Sequence, residues 1–135
     1  DLKAFWRHAL GTAVAAQTLA AGTALDEELA FTAGLLHDIG RLALGAGFPA
    51  ELAAAMTIAR AGDGAIVDAE HVTLGTTHAE VGAMIARQWH FPQAVADAIA
   101  DHHTAVASVT KDDKGRYTAA DMMERMSGVD AWVAA

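Results

Sequence analysis

The chain has no cysteine, two prolines and one tyrosine among its 135 residues, and aromatic side chains make up only 6% of it. Without cysteine there is no disulfide scaffold, no thiolate-ligated zinc and no iron–sulfur cluster. Positive charge is scarce as well: nine Lys and Arg stand against 17 Asp and Glu, a net charge of -8. A nucleic-acid surface needs clustered cations to neutralise phosphate, so this balance argues against such a partner. No apolar run reaches the roughly 18 residues of a membrane span, and no membrane partner is expected. The start lacks a basic stretch followed by an apolar segment and a cleavage site, so no signal peptide is expected. It opens at Asp1 rather than Met, which reads as a single domain, residues 1–135, from a longer multidomain protein. The serines, Ser108 and Ser127, lie in polar loop contexts and support no Ser-His-Asp arrangement.

Alanine is what the chain has in excess, with 34 residues. Together with the shortage of β-branched and aromatic residues, this biases the chain towards helix. One domain of this length buries about two thirds of the surface its unfolded chain exposes. Leu2, Phe5, Trp6, Leu10, Val14 and Leu19 recur at mostly helical spacing and predict a helix over 2–22, stopped by Gly22. Asp26 is an N-cap candidate for a second helix that ends at Gly40, a good left-handed C-cap. Gly45 to Pro49 reads as a break. Gly45-Ala46-Gly47 lacks the Lys and the strand of a phosphate cradle, so loop flexibility is the better account. Pro49 opens a third helix over 50–61, and a short helix follows over 68–74. Thr77-x-x-Glu80 is a capping box that starts a helix running to Trp89, and Phe91-Pro92 starts another over 93–103. A polar loop over 108–117 precedes a last helix over 119–126. Trp6 and Trp89 read as core anchors, as do Met122, Met123 and Met126, and Trp132 as a contact to a neighbouring domain. With no strand signal, the expected fold is all-α, five to seven helices in one domain.

Seven histidines in an acidic chain without cysteine are the natural transition-metal ligands. His8 falls mid-helix, and His37 is followed at once by Asp38 after the apolar Leu35-Leu36. Adjacent helical residues lie about 100° apart, so both can lean towards one centre. His78, His90, His102, His103 and Asp121 come from other predicted helices or their ends, which is how metal sites in helical cores are assembled. Imidazole with carboxylate suits Fe, Mn, Zn, Ni or Co. A bridging Asp38 would suit two ions about 3.5–4 Å apart. Burying His37 and Asp38 without partners is costly. Metal would satisfy them, and so would an ordinary polar network with no metal at all.

Phe31-x-x-Gly34-Leu35-Leu36-His37-Asp38-Ile39-Gly40-Arg41 resembles the HD superfamily signature. Phe5-Trp6-x-His8, His78-Ala79-Glu80-Val81-Gly82-Ala83, Trp89-x-Phe91-Pro92 and Ile99-x-x-His102-His103 follow in register. Their order and spacing, over about residues 2–103 and more weakly over 118–128, resemble the HDOD family, a signalling offshoot of the HD and HD-GYP phosphohydrolases. The resemblance implies an HD-type helical bundle in a bacterial cytoplasmic signalling protein. It also implies other signalling domains or proteins as partners and no general catalytic activity. By the same resemblance His8, His37, Asp38 and Asp121 would hold one metal. Asp38, His78, His102 and His103 would hold a second, with Asp38 bridging.

His71 and His90 match no ligand position and read as surface residues. Arg41 stands where the HD-GYP signature ends in Lys and, in an enzyme, would clamp a phosphate. The Gly-Tyr-Pro motif is missing, and Ala4 replaces the Glu that some relatives use for a third metal. The leading expectation is a regulatory domain acting through protein contacts, with a His/Asp metal site. The alternatives are a metal-dependent phosphohydrolase acting on a nucleotide or other phosphoester, and an iron-based redox or oxygen sensor.

Overall fold

A computed structural model describes residues 1–62 and 65–104. Among them the chain forms seven helices and no strand: α1 (Leu2–Ala20), α2 (Glu27–Leu36), α3 (Ile39–Gly47), α4 (Pro49–Ala61), α5 (Ile66–Leu74), α6 (His78–Gln88) and α7 (Gln93–Asp101). The capping chemistry follows the sequence. Asp26 accepts from the main-chain N–H groups of Glu28 and Leu29. The Thr77–Glu80 capping box is complete in both directions, and Pro49 occupies the first turn of α4. Gly75 closes α5 at φ 73°, a left-handed conformation that glycine adopts without a Cβ penalty.

The core is built largely from small residues. Ala33, Ala83, Ala86, Val95, Ala96 and Ile99 form its centre, with Leu29, Leu36 and Phe91 packed against it. Helix α1 is buried along Ala9, Thr12, Ala13, Ala16 and Ala20. It approaches α2 so closely that a Cβ on Gly34 would stand 2.8 Å from the Ala13 Cα. A large side chain does not fit that seam. Leu2, Trp6, Leu10 and Val14 therefore lie on the outer side of α1, and Trp6 is 46% exposed. Trp89, at the end of α6, is 62% exposed. Both tryptophans depart from the core role expected of them, because alanine and glycine seams set the helix spacing here.

Helix α2 stops at Leu36, and a new helix begins at Ile39. Gly40 is thus no C-cap but an interior residue of α3. It is needed for contact: a Cβ there would strike the His78 carbonyl oxygen and stand 2.8 Å from the Gly82 nitrogen. Helix α3 continues to Gly47, so Gly45-Ala46-Gly47 is helical rather than a loop. The expected polar loop over 108–117, the last helix with Asp121, Met122, Met123 and Met126, and Trp132 lie outside the described residues.

Candidate metal centre

The two seams converge on one point. The α1–α2 seam brings His8 to His37, the residue that ends α2. The α3–α6 seam brings Asp38, at the start of α3, to His78, the first residue of α6. His102 and His103 follow directly after α7. Asp38 makes no side-chain capping bond to α3, and its carboxylate faces this cluster instead.

The ligand atoms fall into two groups that share Asp38: Asp38 with His78, His102 and His103, and Asp38 with His8 and His37. Within each group the candidate donor atoms lie within 4.8 Å of one another. Asp38 Oδ1 is 3.2 Å from His78 Nε2 and 3.6 Å from His102 Nε2. Asp38 Oδ2 is 3.6 Å from both His8 Nε2 and His37 Nε2, and 3.0 Å from Arg41 Nη1. His8 and His37 approach Nε2 to Nε2 at 3.0 Å. His78 Nε2 lies 3.2 Å from His102 Nε2 and 3.0 Å from His103 Nε2. His71 and His90 are exposed and take no part. Asp121 lies outside the described residues.

The outer nitrogens explain why the inner ones face each other. His37 Nδ1–H donates to the Gly34 carbonyl at 2.7 Å, and His102 Nδ1–H donates to the Ile99 carbonyl at 2.7 Å. His78 Nδ1–H donates to Glu70 Oε2 at 2.6 Å. A neutral imidazole has one N–H, so once Nδ1 carries it, Nε2 presents a lone pair. His78 and His102 thus point lone pairs at each other. Asp38 Oδ1, buried and without a hydrogen-bond partner, lies beside them. A cation or a proton relieves this arrangement, and nitrogen plus carboxylate oxygen is a donor set for a borderline transition metal. The residues present therefore fit a metal.

Electrostatics runs the same way. Burial by itself raises the Asp38 pKa. The His102 and His78 rings beside it and the Arg41 and His37 charges outweigh it and hold the carboxyl well below the usual carboxylate range. Glu70 is also lowered, its burial outweighed by His78. Burial depresses His78, but Asp38 and Glu70 outweigh it and raise its pKa. His103 is pushed down to about 4 by burial and by His102 and His78 beside it, so its ring stays neutral at pH 7.

Glu70 is the participant that the spacing arguments missed. It shares one face of α5 with Ile66, Ala69, Thr73 and Leu74, an acid set into an apolar stripe. That mismatch was the available signal. Glu70 and Arg41 also line a cleft of about 580 Å³, walled by Leu2, Phe5, Leu52 and Met56.

An all-helical domain with a buried His/Asp cluster at a helix junction is the architecture of the HD type. The HDOD domain family matches residues 1–105, and the chain belongs to that family. It is 32% identical over 103 residues to Ribonuclease Y of Lactobacillus acidophilus, covering 76% of this chain and 14% of that protein. It is 34% identical over 97 residues to Ribonuclease Y of Thermus thermophilus, covering 72% and 12%. The chain thus spans only a small part of the curated relatives it matches. Among solved structures it resembles a Shewanella amazonensis SB2B protein provisionally named a phosphohydrolase, at 28% identity and TM-score 0.82, over 100% of this chain and 48% of that one. It also resembles the MmoQ response regulator of Methylococcus capsulatus, at 30% identity and TM-score 0.73, over 99% and 50%. Among the described residues no helix is long and apolar enough to cross a membrane.

Proposed function

We propose that this domain is a regulatory module of a bacterial signalling protein whose buried cluster holds transition metal, one ion in each of two groups bridged by Asp38. The observation that carries the reading is the facing Nε2 atoms of His78 and His102, each with its Nδ1 hydrogen already committed. His78, His102, His103 and Asp38 would hold one ion. His8, His37 and Asp38 would hold the other, with Asp121 as a further ligand by resemblance. Protein contacts as the output are supported by the outer stripe of α1, where Leu2, Trp6, Leu10 and Val14 recur every fourth residue and are exposed. The response-regulator neighbour supports a signalling context.

The second reading, a metal-dependent phosphohydrolase, is favoured by the full complement of ligands and by relatives that carry nuclease and phosphohydrolase names. In that chemistry the ions would polarise a phosphoryl group and position a water. Arg41 weighs against it, because its Nη1 is committed to Asp38 at 3.0 Å rather than directed to a substrate. The missing Gly-Tyr-Pro motif weighs the same way. An iron-based sensor uses the same ligands and differs in the metal.

Metal analysis of protein purified without chelator tests the reading. The expected result is about one to two equivalents, abolished by Asp38→Ala. Sub-stoichiometric metal unchanged by His37→Ala would overturn it. With metal bound, hydrolysis of a cyclic dinucleotide or a generic phosphodiester would replace the regulatory reading with the enzymatic one. Redox-dependent spectra of bound iron would select the sensor.

A further inference from the structure

Glu70 belongs to neither ligand group, yet its side chain is fully buried. An ionised carboxylate there is costly unless it is compensated. His78 supplies both of its hydrogen bonds. Glu70 Oε2 accepts from the His78 main-chain N–H at 2.9 Å and from His78 Nδ1–H at 2.6 Å. Glu70 Oε1 is buried with no hydrogen-bond partner, so the carboxylate's polar contacts are with His78. Helix capping alone does not account for this arrangement, because α6 already has a complete capping box from Thr77 and Glu80. What Glu70 adds is its hold on the imidazole.

The other tethered histidines differ. His37 and His102 donate Nδ1–H to neutral carbonyls, those of Gly34 and Ile99. An anionic acceptor behind an imidazole fixes its tautomer and makes the opposite nitrogen a stronger metal donor. We infer that Glu70 is a positioning residue that aims His78 Nε2 and makes the His78–His102–His103–Asp38 group the first to fill with divalent metal. The inference rests on the metal-centre reading above. It adds an order of loading and names the residue that sets the order.

The test is a Co²⁺ titration of the chelator-stripped chain, followed by visible absorption and calorimetry, with ¹⁵N-histidine spectra of the metal-free protein. The wild type is expected to bind in two steps, the tighter one lost in His78→Ala. Glu70→Gln is expected to weaken the tighter step by about 10–100-fold, with little change in the weaker one. It is also expected to move the His78 Nδ1–H resonance towards those of His37 and His102, because the neutral amide oxygen still accepts from it but without the charge. If Glu70→Gln does not fold, Glu70→Asp, which keeps the charge but withdraws it by one methylene, carries the same comparison. An unchanged tighter step overturns the inference. So does equal weakening of both steps with a lowered metal-free melting temperature, which marks a purely structural glutamate. A wild type that takes up no Co²⁺ defeats the metal-centre reading itself, a result distinct from a wild type that loads normally beside an unimpaired Glu70→Gln.

Discussion

The two ligand groups share Asp38 and differ in what surrounds it. The group of His78, His102 and His103 is set by the α3–α6 seam. Two of its rings are tethered from behind, His78 to a buried carboxylate and His102 to a carbonyl. The group of His8 and His37 is set by the α1–α2 seam. Its His37 is tethered to a carbonyl, and its fourth expected ligand, Asp121, lies outside the described residues. Both seams depend on glycine because helix axes must come close for short side chains to meet. The first group holds a buried His78 with an anion behind it and a buried His102 with a carbonyl behind it.

The comparison breaks most completely at the shared residue. Asp38→Ala is expected to abolish metal in both groups and to leave Arg41 and His78 facing a lost partner. Removing one member of a buried charged set costs about 3–5 kcal/mol, which chemical denaturation of the metal-free protein would measure. An Asp38→Ala protein that retains one equivalent of metal would show that the groups are independent.

Gly40→Ala comes next. Its Cβ meets main chain, the His78 carbonyl and the Gly82 nitrogen, which cannot swing aside as a side-chain tip does. A loss of about 1–3 kcal/mol or more is expected, with metal lost first from the His78 group. Gly34→Ala, against α1, is expected to reverse that preference. Circular-dichroism melts with metal quantification would separate the two seams.

At intermediate size, His102→Ala and His8→Ala are each expected to remove one equivalent, from different groups. Equal residual affinity in the two variants would erase the distinction drawn here.

The pH response of the metal-free protein sharpens the first group alone. Folded His103 refuses a proton until about pH 4, while the unfolded chain accepts one near 6.5, so stability is lost as pH falls between those values. His78 is raised, so its contribution is complete below 6.5 and lost as pH rises through its folded pKa. Stability in the presence of chelator is therefore expected to peak near pH 6.5. His103→Gln flattens the acid limb; a profile that only rises with pH would contradict the His78 assignment, and one that only falls would contradict that of His103. The smallest effect is expected from Trp6→Ser, within about 0.5 kcal/mol, because the ring packs outside the core.

Much of this was legible in advance. The resemblance to the HDOD family points to His8, His37, Asp38, His78, His102 and His103 as ligand candidates, and Asp26, Pro49 and Thr77–Glu80 mark helix starts through local capping chemistry. The failures share one cause. Trp6, Trp89, Gly40 and the Gly45–Gly47 stretch were assigned roles by residue type, large apolar inward and glycine at ends. At these positions the fold departs from both rules. Its helices meet through alanine and glycine, which expels tryptophan and places Gly40 inside α3 where two backbones touch. Glu70 escaped because an acid on an apolar helix face declares that it needs a partner but not which one.

The sequence by itself determined the helical class, the capped helix starts and the inventory of nitrogen and carboxylate donors, because these depend on residues within a few positions of one another. Tertiary structure alone decided that the donors divide into two groups around Asp38, that Arg41 is committed to that carboxylate, and that Glu70 stands behind His78. The donors run from His8 to His103, 95 positions apart, and only the close packing of α1 on α2 and of α3 on α6 brings them together around Asp38.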